Sequence, residues 1–136
     1  MMSRKINCSI LTPERSLFEG DVDFAIVQAH NGEMGFLVNH APLISELGVG
    51  EIRLREGKST EYLVVEGGVV EIKDNRLIIL AESAMKKSEL DPQEIEAKLK
   101  ELSELKDKEY AKFSNERYLI QLEEEKCKAR LKVAMK

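Results

Sequence analysis

A chain of 136 residues, 43% apolar and 34% charged, carries enough apolar side chains to build a core, which excludes a globally disordered protein. Its 21 Lys+Arg nearly balance 25 Asp+Glu, and a net charge of −4 gives no reason to expect nucleic acid or an anionic membrane as a direct partner. The two cysteines, Cys8 and Cys127, lie far apart and read as reduced thiols of a cytosolic protein.

The segment from Met1 to Ile10 has no apolar stretch of signal-peptide type, and no run approaches the roughly 20 apolar residues that span a bilayer. Ile6, Cys8 and Ile10 then alternate with polar residues until Thr12-Pro13-Glu14 breaks the run. Val22 to Ala29 is β-branched and apolar, and Asn31-Gly32 after it is a tight-turn signal. Ile52 and Leu54 alternate with charged neighbours ahead of a turn at Glu56-Gly57-Lys58. Three more strands follow at Tyr62 to Val65, Val69 to Ile72 and Arg76 to Ala81, separated by Gly67-Gly68 and Asp74-Asn75. Many short strands with frequent turns indicate a sandwich or flattened barrel. Leu77-Ile78-Ile79-Leu80 is apolar on both faces, so it is central or covered outside by a partner.

All eight glycines fall between Gly20 and Gly68, and neither Gly nor Pro follows Pro92. That shift places a boundary near Lys86 to Asp91, giving a β unit over 1–87 and a helical unit over 88–136. Asp91 suits an N-cap, Pro92 the first helical position, and Glu94 a capping box. Ile95, Leu99, Leu102 and Leu105 form one apolar stripe. Tyr110, Phe113, Ile120, Cys127, Leu131 and Ala134 form a second, interrupted by Arg117 and Glu124. A break fits Lys106-Asp107-Lys108 or Ser114-Asn115, with Ser114 as a cap. Each stripe is too narrow to stand alone. The stretch reads as an antiparallel two-helix hairpin or as one extended helix on the order of 60 Å long, and several possible hosts for one stripe suit a switch.

Catalytic and metal chemistry lacks a pattern. His30 and His40 sit in turn-rich segments, and no C-x-x-C, H-x-x-x-H or H-E-x-x-H spacing occurs. Gly57-Lys58-Ser59-Thr60 spells the end of a phosphate loop, but Ile52 stands where its first Gly belongs and a strand follows where a helix is needed. Glu123-Glu124-Glu125 reads as a solvated helix face. No catalytic, metal or cofactor site is assigned on the residues alone. They support a β-sandwich adaptor with a helical dimerisation tail as the alternative to any more specific reading.

Four segments in order resemble the epsilon subunit of F-type ATP synthases: Leu11-Thr12-Pro13-Glu14 through Asp23, Gly32-Glu33-Met34-Gly35-Phe36 with Asn39-His40-Ala41-Pro42-Leu43, Val64-Val65-Glu66-Gly67-Gly68 through Ile72, and Ile79-Leu80-Ala81-Glu82. The resemblance covers residues 5 to 91, and Arg130-Leu131-Lys132-Val133-Ala134 adds to it near the end. It implies a ten-stranded β-sandwich followed by a two-helix domain. It also implies a rotor subunit that couples ion flow through the membrane c-ring to ATP synthesis, lying peripherally at the cytoplasmic face of the bacterial plasma membrane. The partners implied are the gamma subunit, the c-ring loops and, through the tail, the alpha/beta catalytic head. By that match Glu33, Met34, Gly35, His40, Ala41 and Pro42 are rotor contacts, and the tail hinders ATP hydrolysis. Some relatives bind ATP through a motif that Leu90-Asp91 begins here, with basic residues on the second helix where Lys126 and Arg130 stand. Glu94-Ile95 replaces the Arg-Ala of that motif, which removes a phosphate partner and argues against tight ATP binding.

Overall fold

The computed structural model describes residues 5–107 and 115–136. Strands β1 (Ile6–Leu11), β2 (Ser16–Val22), β3 (Phe24–Ala29), β4 (Gly32–Leu37), β5 (Leu43–Glu56), β6 (Ser59–Lys73), β7 (Arg76–Ala81) and β8 (Ala84–Lys86) lead through a 3-10 turn at Lys87–Glu89 into α1 (Pro92–Lys106) and α2 (Asn115–Ala134). The strands form one sheet in the order β2-β1-β7-β6-β5-β3-β4, with β8 paired to β6. Alternate residues of every strand meet in one core, among them Ile10, Leu17, Val27, Phe36, Ile52 and Ile79. A sheet whose strands all feed one core is curled over itself as a sandwich.

Two expectations are corrected. Eight strands are present among the described residues, not ten, and the barrel is not closed: β2 and β4 are the two ends of the strand order. The reason lies in β5 and β6, of 14 and 15 residues. Each runs through the bend of the sheet and serves on both sides of it. The first half of β6 pairs with β8 at Leu63–Val65, and the second half pairs with β7 at Gly68–Lys73. Gly67-Gly68, expected to separate two strands, instead lets one strand turn the corner, with φ of 82° and 126°.

The turns follow the sequence closely. Asp74 and Asn75 have φ of 51° and 61° at the β6–β7 hairpin, the conformation such a two-residue turn requires. Gly57-Lys58 is a hairpin turn too, and the Gly57 N–H donates to Asp23 Oδ2 at 2.7 Å.

Arg15 grips Glu89 with two hydrogen bonds of 2.6 and 2.9 Å, which ties the β1–β2 turn to the 3-10 turn ahead of the helices. The Glu89 carboxyl is held below its usual range by Arg15 first and then by the Lys86 N–H. Asp91 caps α1 by accepting from the Gln93 N–H at 3.0 Å, and Pro92 opens the first turn. A cap of this kind contributes about 1 kcal/mol.

The two stripes meet in a second core of Ile95, Leu102 and Cys127, flanked by Leu90, Leu99, Ile120, Leu131 and Ala134. Leu105 is half-buried and stands outside it. Glu124 and Arg117, which interrupt the second stripe, bind the end of α1. Lys106 donates to Glu124 at 2.9 Å, and Arg117 donates to the Lys106 carbonyl at 3.4 Å. The expected break sites bracket the ends of the helices at Lys106 and Asn115. Lys108, Tyr110, Phe113 and Ser114 lie outside the described residues.

Candidate functional site

Three regions of the surface carry features that a core does not need. The first is the β3–β4 hairpin and the loop after β4. Glu33, Met34 and Gly35 lie on β4, paired to Gln28, Val27 and Ile26 of β3. Met34 packs against the sandwich core, while Glu33 and Gly35 are exposed. Glu33 accepts from Arg53 Nη2 at 2.9 Å. His40, Ala41 and Pro42 lie beyond the other end of β4, so the strand separates the two groups of expected contact residues. Ala41 and Pro42 are exposed, and His40 is half-buried with its ring 5.1 Å from that of Phe36. Asn39 pins this loop to the β6–β7 turn: its N–H donates to Asn75 Oδ1 at 2.5 Å, and Asn75 Nδ2 donates to Asn39 Oδ1 at 3.0 Å. The loop is thus a braced projection rather than a slack connection.

The second region is an apolar stripe on the outer face. Val69 of β6 stands opposite Leu80 of β7, and Ile44 lies diagonally across on β5, opposite Glu71. Their exposures are 67% for Ile44, 40% for Val69 and 53% for Leu80. Leu80 pairs on its other side with Leu11 of β1. Adjacent exposed apolar side chains on neighbouring strands form a patch that water solvates poorly. β7 is therefore central, between β1 and β6, and still apolar on its outward side. The alternation rule finds Ile79 and Leu77 inside. It gives no hint that Ile44 and Val69, far apart in sequence, join Leu80.

The third region is where the helices lie on the sandwich. α2 packs against β5 and β6. Val64 faces outward between the inward Leu63 and Val65, yet it is wholly buried, as is Val133 of α2. Both valines belong to neither core. Beside them Arg130 donates to both oxygens of Glu66, Nε to Oε2 at 2.7 Å and Nη2 to Oε1 at 2.8 Å. Glu66 is 6% exposed, so this forked pair neutralises a carboxylate that the helix shields from water. The guanidinium is held above its ordinary value chiefly by that bond.

Next to this pair a groove of about 480 Å³ opens between β8, α1 and α2. Of Asp91, Lys126 and Arg130, the residues that the resemblance offers as a remnant nucleotide site, Asp91 and Arg130 line it and Lys126 does not; Glu94, which stands where that motif has Arg, lines it too. Lys126 pairs with Glu123 at 3.5 Å. Asp91 is engaged as the α1 cap and Arg130 by Glu66. Glu89, Asp91, Glu94 and Glu101 face the groove against Lys98 and Arg130, an acidic balance that disfavours a triphosphate. No local pattern marks Glu66 and Arg53 as paired, because their partners lie 64 and 20 residues away.

Among the described residues no group of three or more His, Cys, Asp or Glu is arranged to hold a metal ion. No helix among them is long and apolar enough to cross a membrane.

The sequence profile of the ATP synthase delta/epsilon chain beta-sandwich domain matches residues 5–87. The ATP synthase epsilon chain of Leptospira borgpetersenii is 40% identical over 105 residues, 77% of this chain and 80% of that relative. The epsilon chain of Alkalihalophilus pseudofirmus is 41% identical over 86 residues, 63% of this chain and 65% of the relative. Among solved structures, a chain of the Euglena gracilis mitochondrial ATP synthase OSCP/F1/c-ring assembly superposes with a TM-score of 0.85 at 19% identity, covering 100% of this chain and 84% of that one. A chain of the Tetrahymena thermophila central stalk and c-ring superposes with a TM-score of 0.62 at 14% identity, covering 98% and 99%. At such identities the structural likeness speaks to the fold.

Proposed function

The chain belongs to the ATP synthase delta/epsilon family, and from that premise we propose that it is a non-catalytic rotor subunit in the central stalk of an F-type ATP synthase. The observation that carries this reading is the bare apolar stripe of Ile44, Val69 and Leu80, which lies across three neighbouring strands of the sandwich. A rotor subunit needs a permanent protein-facing surface, and an apolar patch on a folded sheet is one. In this reading the stripe faces the gamma subunit. The β4 residues Glu33, Met34 and Gly35 and the braced loop of His40, Ala41 and Pro42 face gamma and the loops of the c-ring, so that the three parts turn together. The subunit is held at the cytoplasmic face of the membrane by these partners.

The helical hairpin is the regulatory part of the proposal. Its own core is separate from that of the sandwich, and an ion pair, Arg130 with Glu66, stands at their junction. A small junction, with Val64 and Val133 buried beside one ion pair and lying between two separate cores, favours reversible docking. Undocked, the hairpin reaches the alpha/beta head and hinders ATP hydrolysis. Tight ATP binding is not part of the proposal, because the groove is acidic and its Arg130 is already paired.

Purifying the tagged chain from its own cells tests the reading. Gamma and the catalytic subunits are expected to come with it. A chain lacking residues 92–136 is expected to assemble as well and to give a complex that hydrolyses ATP about twofold faster or more. Recovery without gamma sinks the stalk reading. Unchanged hydrolysis sinks the regulatory half alone.

A further inference from the structure

A line of charges crosses the outer face of β5. At one end Arg53 Nη2 donates to Glu33 Oε2 at 2.9 Å. In the middle Arg53 Nε stands 3.8 Å from Glu51 Oε1. At the other end Glu51 Oε2 stands 3.6 Å from the ammonium of Lys136, just beyond α2. Glu51 therefore sits between two cations, close to both and within hydrogen-bond reach of neither. Its side chain is 10% exposed. Glu51 Oε1 and Arg53 Nε are both buried and without a hydrogen-bond partner. Two buried orphans facing each other across such a gap are unusual, since each bears a desolvation cost that a small closing movement would remove. Arg53 meanwhile grips Glu33, which is 62% exposed and open to competition.

We propose that Glu33, Arg53, Glu51 and Lys136 form a relay that links the β3–β4 hairpin to the end of the helical tail. A cation that takes Glu33 from Arg53 frees the guanidinium to close on Glu51. Arg53 Nε and the freed Nη2 together make a fork that takes both Glu51 oxygens, including the Oε2 that faces Lys136, so Glu51 closes on Arg53 and releases Lys136. The end of α2 then loosens locally. Lys87 still donates to the main-chain oxygen of Lys136, and Arg130 still holds Glu66, so the hairpin is not freed outright. The relay is a property of the chain alone. Only the identity of the competing cation, a lysine or arginine on a rotor loop, rests on the function proposed above. Coupling of this kind is reciprocal: a tail that has left Glu51 makes Glu33 easier to engage. Surface ion pairs set its size at about two- to fivefold.

Amide hydrogen exchange over residues 128–134 of the full chain at low salt reads the relay without any partner. Glu33→Gln keeps the shape of an exposed side chain and removes its charge. Exchange in this segment is expected to quicken about two- to fivefold. In a Glu51→Gln background the same change is expected to have no further effect, and salt of about 1 M is expected to erase the difference. Unaltered exchange in Glu33→Gln overturns the relay, as does an effect that persists undiminished with Glu51→Gln. Either result leaves the stalk reading standing. Failure to recover gamma would remove that reading without touching the relay.

Discussion

At Gly68 the backbone stands at φ 126°, and a Cβ built there would lie 2.1 Å from the carbonyl oxygen of Leu80. No side-chain adjustment relieves a clash with backbone. Gly68→Ala is expected to cost about 3 kcal/mol or more. Chemical denaturation of the sandwich checks this, and a loss below about 1 kcal/mol would mean that the β6 bend tolerates a side chain. The sequence marks this pair of glycines clearly but not what they do. As punctuation they suggest a gap between strands, whereas the hydrogen-bond ladder to β5 resumes on both sides of them. Asp74-Asn75 suggest a turn and are one, because both residues sit at positive φ where the hairpin needs it. Glu124 and Arg117 look like flaws in an apolar stripe, and their role appears only once Lys106 is beside them.

The helical hairpin was largely legible as an element. Asp91 and Pro92 fix its start, and Ile95, Leu102 and Cys127 are the buried members of its two stripes. Val133 was not legible, because it faces the sandwich rather than α1, and periodicity alone does not divide a helix between two hosts. The two cysteines report on the two cores separately. Burial pushes the Cys8 thiol up to about 12, deep in the sandwich. The Cys127 thiol is also raised, by burial between the helices. In the proposed reading the small hairpin core, being separate from that of the sandwich, opens without unfolding it. Cys127 is therefore expected to react with an alkylating reagent about tenfold faster than Cys8 or more under native conditions. Mass spectrometry of the labelled protein measures both, and equal rates would mean that sandwich and hairpin open as one unit.

For the molecule as a whole, the order of strands and helices was readable, and their assembly was not. Local pattern places β7 in the middle of a sheet. It does not reveal that Val64 is covered by α2 while Val69, five residues on, is left bare. That difference arises from the bend at Gly67-Gly68, which sends the two halves of β6 to different neighbours. It divides the outer face into a part that the tail occupies and a part left bare. The charged links follow the same division. Arg130 and Lys136 pair with Glu66 and Glu51 on the covered part, and Glu33, paired with Arg53, is exposed at the far end of the same line of charges.

The claim that the bare stripe is the docking face is tested most directly by titrating the purified chain against the gamma subunit in a calorimeter. Leu80→Asp puts a charge in the stripe beside Val69, at a position already 53% exposed, where the fold tolerates it. Wild type is expected to bind, and the Leu80→Asp chain, still folded by circular dichroism, to bind at least about tenfold more weakly. Equal affinity of the two chains for gamma would contradict the account.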